Sequence, residues 1–159
     1  MSATVLALLL GLLAQTVWAA SAPVLKLPAH PVWAVHDTGT MNAYFDVVLD
    51  HVGPGYDVQD GVTYPGHCFD RNSSRGTSWR TLYSSYDPDL PLDVKEFGGE
   101  PVPWDKINYL INHRAGKTSD EVQAALEVLI FGNSEYFDIT PTIQGMVDDA
   151  HANGVGFVP

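Results

Sequence analysis

Val5 to Trp18 is an almost unbroken apolar run, and no charged residue occurs before Lys26. A run this short, ending in small residues, predicts a secretory signal over residues 1–20, with Val17-Trp18-Ala19 as the small-x-Ala site and the cut after Ala19 or Ala20; Ala20-Ser21-Ala22 also fits but would leave Pro23 at the new terminus. Residues 21–41 are rich in proline and read as an extended lead-in. Asn42 to Leu49 is a β-rich, partly alternating stretch, and a strand is expected there. Gly53-Pro54-Gly55 turns the chain, and Asp60-Gly61 is a hairpin signal. Val62 to Asp70 reads as a second strand region interrupted by Pro65-Gly66. The stretch 71–101 reads as loop, with one short strand near Trp79 to Tyr83.

After Pro103 the period changes. Trp104, Ile107, Leu110 and Ile111 have helical spacing, so a helix is expected from Trp104 to His113. Thr118-Ser119-Asp120-Glu121 has the form of a capping box, followed by the stripe Val122, Ala125, Leu126, Leu129 and Ile130 and a stop at Gly132. Thr140-Pro141 opens a third helix with the stripe Ile143, Met146, Val147 and Ala150. Val155 to Pro159 resembles the start of a strand. The expected fold class is α+β: a small antiparallel β-rich part with a three-helix cluster.

Composition narrows the functions open to such a chain. The net charge is −11, and all charged residues lie beyond the apolar leader. An acidic surface disfavours nucleic acid and anionic membranes as partners. No membrane span is expected once the leader is cleaved, so the domain should be secreted or held at the cell surface. An exported chain can form disulfides, yet this one has a single cysteine, Cys68. It is either a buried hydrophobe, a reactive group, or a link to another molecule.

Cys68 gains interest beside Gln123, which the pattern places in the first turn of the second helix. A thiolate can attack a side-chain carboxamide, expel ammonia and leave an internal thioester, provided the two groups touch and water is kept away. Unpaired N–H groups at a helix start would stabilise the oxyanion. A first-turn glutamine is also an ordinary capping residue, and that reading stays open.

Tyr56-Asp57-Val58, Tyr64-Pro65-Gly66-His67-Cys68-Phe69-Asp70, Ile107 to Asn112, Val122-Gln123-Ala124-Ala125-Leu126 and the terminal Asn153 to Pro159 together resemble the thioester domains of bacterial surface proteins. The resemblance covers most of residues 42–159. It implies a thioester domain over that range, short of its last strand, with Cys68 bonded to Gln123. It also implies adhesin-like, single-use covalent capture of an amine-bearing protein or glycan on a surface, with no enzymatic turnover, no cofactor and no metal. Val122, His67 and Glu127 depart from the residues usual in that family.

Two other readings remain at this stage. One is an exported structural or ligand-binding domain with a buried thiol. The other is a small cysteine hydrolase. Neighbours on a strand point to opposite faces, which disfavours His67 as a base for Cys68 and leaves His113 as the candidate. His30 and His36 lack metal-ligand spacing and read as surface residues.

Overall fold

The computed structural model describes residues 24–38, 43–69, 76–87, 90–91, 96–97 and 99–158; the expected signal segment 1–20 lies outside them. Four strands form one antiparallel sheet in the order β3-β2-β1-β4: β1 Val32–Thr38, β2 Phe45–Asp50, β3 Thr63–Gly66 and β4 Ser78–Arg80. A two-stranded ribbon follows, β5 Glu96–Phe97 with β6 Glu100–Pro101. Three helices complete the described chain: α1 Trp104–Asn112, α2 Ser119–Phe131 and α3 Pro141–Asn153. This is the α+β arrangement of an antiparallel sheet and a three-helix cluster.

The lead-in differs from expectation. Within 21–41, Val32–Thr38 is a central strand, paired with β2 on one side and β4 on the other. Val32 and Ala34 are buried while the alternate residues Trp33 and Val35 are only half-buried, a pattern that gives a strand one core face. Pro28 and Pro31 lie just ahead of it, where a missing N–H breaks no ladder bond. β2 and β3 form an antiparallel pair, with Val47 opposite Tyr64 and Phe45 opposite Gly66. β3 runs through Pro65 but stops at Gly66, so Cys68 lies beyond the strand expected to carry it. Gly61 N–H donates to the Leu49 carbonyl at 2.8 Å and closes the connection between them.

The helix boundaries follow local chemistry. Thr118 Oγ1 accepts from Glu121 N–H at 3.2 Å, and the Glu121 carboxylate accepts from Thr118 N–H at 2.8 Å, which completes a reciprocal cap. Gly132 ends α2 at φ 75°, a left-handed position that costs other residues strain. Thr140 caps α3, and Pro141 sits in its first turn, where no N–H partner is lost. Among the described residues, those from 155 to 158 do not form the expected strand. Phe157 N–H donates to the Gly154 carbonyl at 3.0 Å, and its ring packs against Tyr109 and His113.

Among the described residues there are two cores. Val32, Ala34, Leu49 and Val52 form one on the sheet, with Tyr56, Tyr64 and Leu82 at its edge. Ile107, Leu110, Val122, Leu126, Leu129, Ile143 and Val147 belong to the other, among the helices. The helices therefore bury their stripes chiefly against one another. The chain leaving β3 joins the parts: Phe69 packs on the helical core and meets the Trp104 ring edge-on at a centroid distance of 5.4 Å. Tyr44 and Phe137 make a second ring contact at 6.1 Å. Cys68 is next to Phe69 in the segment leaving β3.

Candidate functional site

Helix α2 is buried around most of its circumference. Val122 through Leu126 are at most 1 % exposed and Glu127 is 4 % exposed, because α1 and α3 cover one side and residues 67–69 another. Ala124 and Ala125 are small enough for neighbouring backbone to approach. Gln123 thus enters a dry interior, where an unpaired carboxamide is costly.

Its amide is satisfied by Cys68. Cys68 N–H donates to Gln123 Oε1 at 2.9 Å, and Gln123 Nε2 donates to the Cys68 carbonyl at 2.8 Å. The side-chain amide pairs with the Cys68 backbone as a neighbouring strand would. The second hydrogen on Nε2 points to Glu127 Oε1 at 3.3 Å, one helical turn along the same face. The other Glu127 oxygen accepts from Ser134 Oγ at 2.8 Å and from Glu135 N–H at 3.1 Å. All donors of the Gln123 amide are therefore used, and Glu127 ties it to the loop after α2.

The structure alters the expected oxyanion donor. Gln123 is the fifth residue of α2, beyond the N–H groups that a helix start leaves open, and the Glu121 N–H is already capped by Thr118. The donor at the Gln123 carbonyl oxygen is Cys68 N–H. This contact satisfies the same geometric requirement: a fixed N–H at hydrogen-bond distance from the oxygen that would take the charge.

His67 is the second neighbour. Its Nε2 lies 3.1 Å from the Arg114 guanidinium, which can only donate, so Nε2 accepts and Nδ1 carries the proton of the neutral ring. Nδ1 is buried without a well-formed hydrogen bond. Burial first, and then the Arg114 charge, lowers the His67 pKa to about 4, with the adjacent Gln123 amide opposing the shift. The ring is therefore neutral at physiological pH and offers an N–H beside the amide.

His113, the base expected from sequence, lies elsewhere in its contacts. Its ring stacks on Tyr109 with centroids 4.0 Å apart and touches Phe157, and its Nδ1 donates to the Tyr109 carbonyl at 2.8 Å. Serving as the end of α1 occupies it, and none of its described contacts is with Cys68 or Gln123. The structure thus brings together Cys68 and Gln123 and adds His67, Arg114 and Glu127. The signal for Glu127 was a second polar residue, four after Gln123, inside the apolar run from Val122 to Ile130. For Arg114 no sequence signal existed.

Among the described residues, no helix is long and apolar enough to cross a membrane. Comparison with family models, with curated proteins and with solved structures finds no match for this chain.

Proposed function

We propose that the protein is an exported, single-use covalent binding module in which Cys68 and Gln123 close into a thioester that a partner's amine opens. The observation that carries this reading is the bidentate pairing of the buried Gln123 amide with the Cys68 backbone, at 2.9 and 2.8 Å. Closure forms the bond between Cys68 Sγ and Gln123 Cδ and breaks the Cδ–Nε2 bond. The amide nitrogen leaves as ammonia, taking the thiol proton. In the second step a primary amine, as on a lysine or an amino sugar, attacks the same carbon; an amide forms and the Cys68 thiol is regenerated. The first step is favoured by proximity and by the Cys68 N–H at the carbonyl oxygen, the second by the lability of a thioester. The resemblance to surface-protein thioester domains and the apolar leader agree with a place outside the cytoplasm, on the cell surface or secreted.

A second reading draws on the same contacts. An amide with every donor and acceptor engaged is also a sufficient clamp between the β3 exit and α2, with the thiol kept intact. Intact-mass measurement of freshly purified protein separates the two. The thioester reading requires a mass lower than the sequence by one ammonia, resistance of Cys68 to alkylation, and opening by methylamine with gain of that amine's mass. Cys68→Ala and Gln123→Ala should each show the full mass of their own sequence. Full mass and ready alkylation of the unaltered chain, fresh and at mildly acidic pH, would leave the clamp alone standing.

A further inference from the structure

The sheet has a second face, turned away from its core, and on it lies an aromatic corner. Register places Asp50, Trp33 and Trp79 in one row across β2, β1 and β4, because Trp33 is opposite Asp50 on one side and opposite Trp79 on the other. Residues directly opposite in an antiparallel sheet share a face. Val32, Ala34 and Leu49 hold the core on the other face. An outward face normally carries polar side chains, yet Trp79 stands there 54 % exposed.

His51 completes the corner through an unusual backbone. Its φ is 62°, the one described residue other than glycine with positive φ. That conformation is held at both ends: His51 N–H donates to Asp50 Oδ1 at 2.7 Å, and the His51 carbonyl accepts from His30 Nε2 at 3.1 Å. The turn brings the His51 ring to 5.2 Å from Trp79 at 61°, while Trp33 approaches Trp79 at 5.3 Å and 63°. Two rings thus stand steeply against a third. The Asp50 carboxylate borders them, 3.6 Å from His51 Nδ1 and 61 % exposed. The local hydrogen bonds that hold this left-handed residue fix its ring against Trp79.

We propose that this corner of Trp33, Trp79 and His51, with Asp50 at its rim, binds a quaternary or fully methylated ammonium group. Angled aromatic walls present their negative π-faces to a compact cation, and a neighbouring carboxylate adds charge of the right sign. A net charge of −11 attracts cations to the whole surface. A primary ammonium would hold water on its three N–H donors at this exposed rim, whereas a quaternary group has no donor to hydrate and meets the rings more closely. A sugar ring would use the face of Trp79 alone, whereas a compact cation uses the angled rings and the carboxylate together. The site is independent of Cys68 and Gln123 and is equally testable in a Cys68→Ala background.

The test is a titration of the purified protein with choline at constant ionic strength, read by tryptophan fluorescence and calorimetry. A parallel titration uses the alcohol in which a tert-butyl group replaces trimethylammonium. Choline should give saturable binding, with the neutral isostere weaker on the order of tenfold. Trp79→Ala, at an exposed position, should abolish saturation, and Asp50→Asn should weaken it several-fold. Equal binding of the neutral isostere overturns the proposal, as does unchanged binding in Trp79→Ala. Saturation by a neutral oligosaccharide without saturation by choline overturns it in favour of a sugar site. If Trp79→Ala fails to fold, unchanged binding in Asp50→Asn decides against the proposal.

Discussion

Replacing Gln123 by Glu tests the buried amide at its most sensitive point, because it changes one atom and leaves the shape intact. The new carboxyl can still accept from Cys68 N–H at the oxygen that now lies 2.9 Å away. The other oxygen replaces Nε2, which faces the Cys68 carbonyl at 2.8 Å and Glu127 Oε1 at 3.3 Å. Two like charges at that separation repel by about 5 kcal/mol at an effective dielectric of about 20. The folded protein has a cheaper course, which is to take up one proton. For a carboxyl of ordinary pKa this costs about 3.7 kcal/mol at pH 7. It costs less as pH falls, by about 1.4 kcal/mol per unit. The proton leaves one donor where the amide had two, so about 1 kcal/mol remains at any pH. Since the folded state binds one proton more than the unfolded state, the variant loses stability as pH rises above about 4.5. The assay is urea denaturation of Cys68→Ala with and without Gln123→Glu, since the Ala background forms no thioester and keeps the backbone pairing. The expected gap is about 4–5 kcal/mol at pH 7, narrowing to about 1 kcal/mol near pH 4.5. A pH-independent gap below about 1 kcal/mol would refute the buried Gln123–Glu127 juxtaposition.

Three further outcomes follow from the packing and the electrostatics. With the His67 pKa lowered to about 4, the unfolded chain takes up a proton first as pH falls. Stability should therefore drop between about pH 6.5 and 4, by roughly 2 kcal/mol after allowance for partial exposure, and His67→Phe should flatten that drop in denaturation curves. Leu126→Ala removes a fully buried side chain from the helical core and should cost about 2–5 kcal/mol by urea denaturation. At Gly154 a methyl group would meet the Ala150 carbonyl oxygen and lie 2.9 Å from Lys106 Cα, both backbone atoms that cannot swing aside. Gly154→Ala should force α1 and α3 apart and cost about 1–3 kcal/mol, read as a lowered melting temperature.

How far the sequence revealed the fold depended on whether each signal was local. The cap at Thr118 and the proline start at Thr140-Pro141 are statements about four or five residues, and the helices begin there. The pairing of β1 is not local: Val32–Thr38 becomes a central strand only because β2 and β4 add to its two edges, and nearby prolines suggested a lead-in. The same difference divides the site. Cys68 and Gln123 were legible as unusual residues, a lone cysteine and a glutamine in an apolar run. The partners that define their environment were not. Arg114 reaches His67 across 47 positions, and no pattern near either residue reports that contact.

The site's location explains why one glutamine has so much to hold. The sheet and the helices have separate apolar cores, so burial within each does little to fix one against the other. The segment after β3 contributes most of the described contacts that do fix them: Phe69 against Trp104 on one side of Cys68, His67 against Arg114 on the other, and the Gln123 amide on Cys68 itself, with Tyr44 on Phe137 and Ser85 on Asn108 adding to the joint. A reactive bond placed here would also be a cross-link between the two parts. Attack by an amine would break that cross-link but leave position 123 an amide, and an amide N–H can still donate to the Cys68 carbonyl. Hydrolysis would instead leave a carboxylate against Glu127, with the penalty worked out above. If the proposed bond forms, the captured state would keep the joint closed, whereas the hydrolysed state would loosen it. Proteolysis of the joint between β3 and α2 should therefore be slow after methylamine treatment and faster after hydrolysis; equal rates would argue that Gln123 does not hold the two parts together.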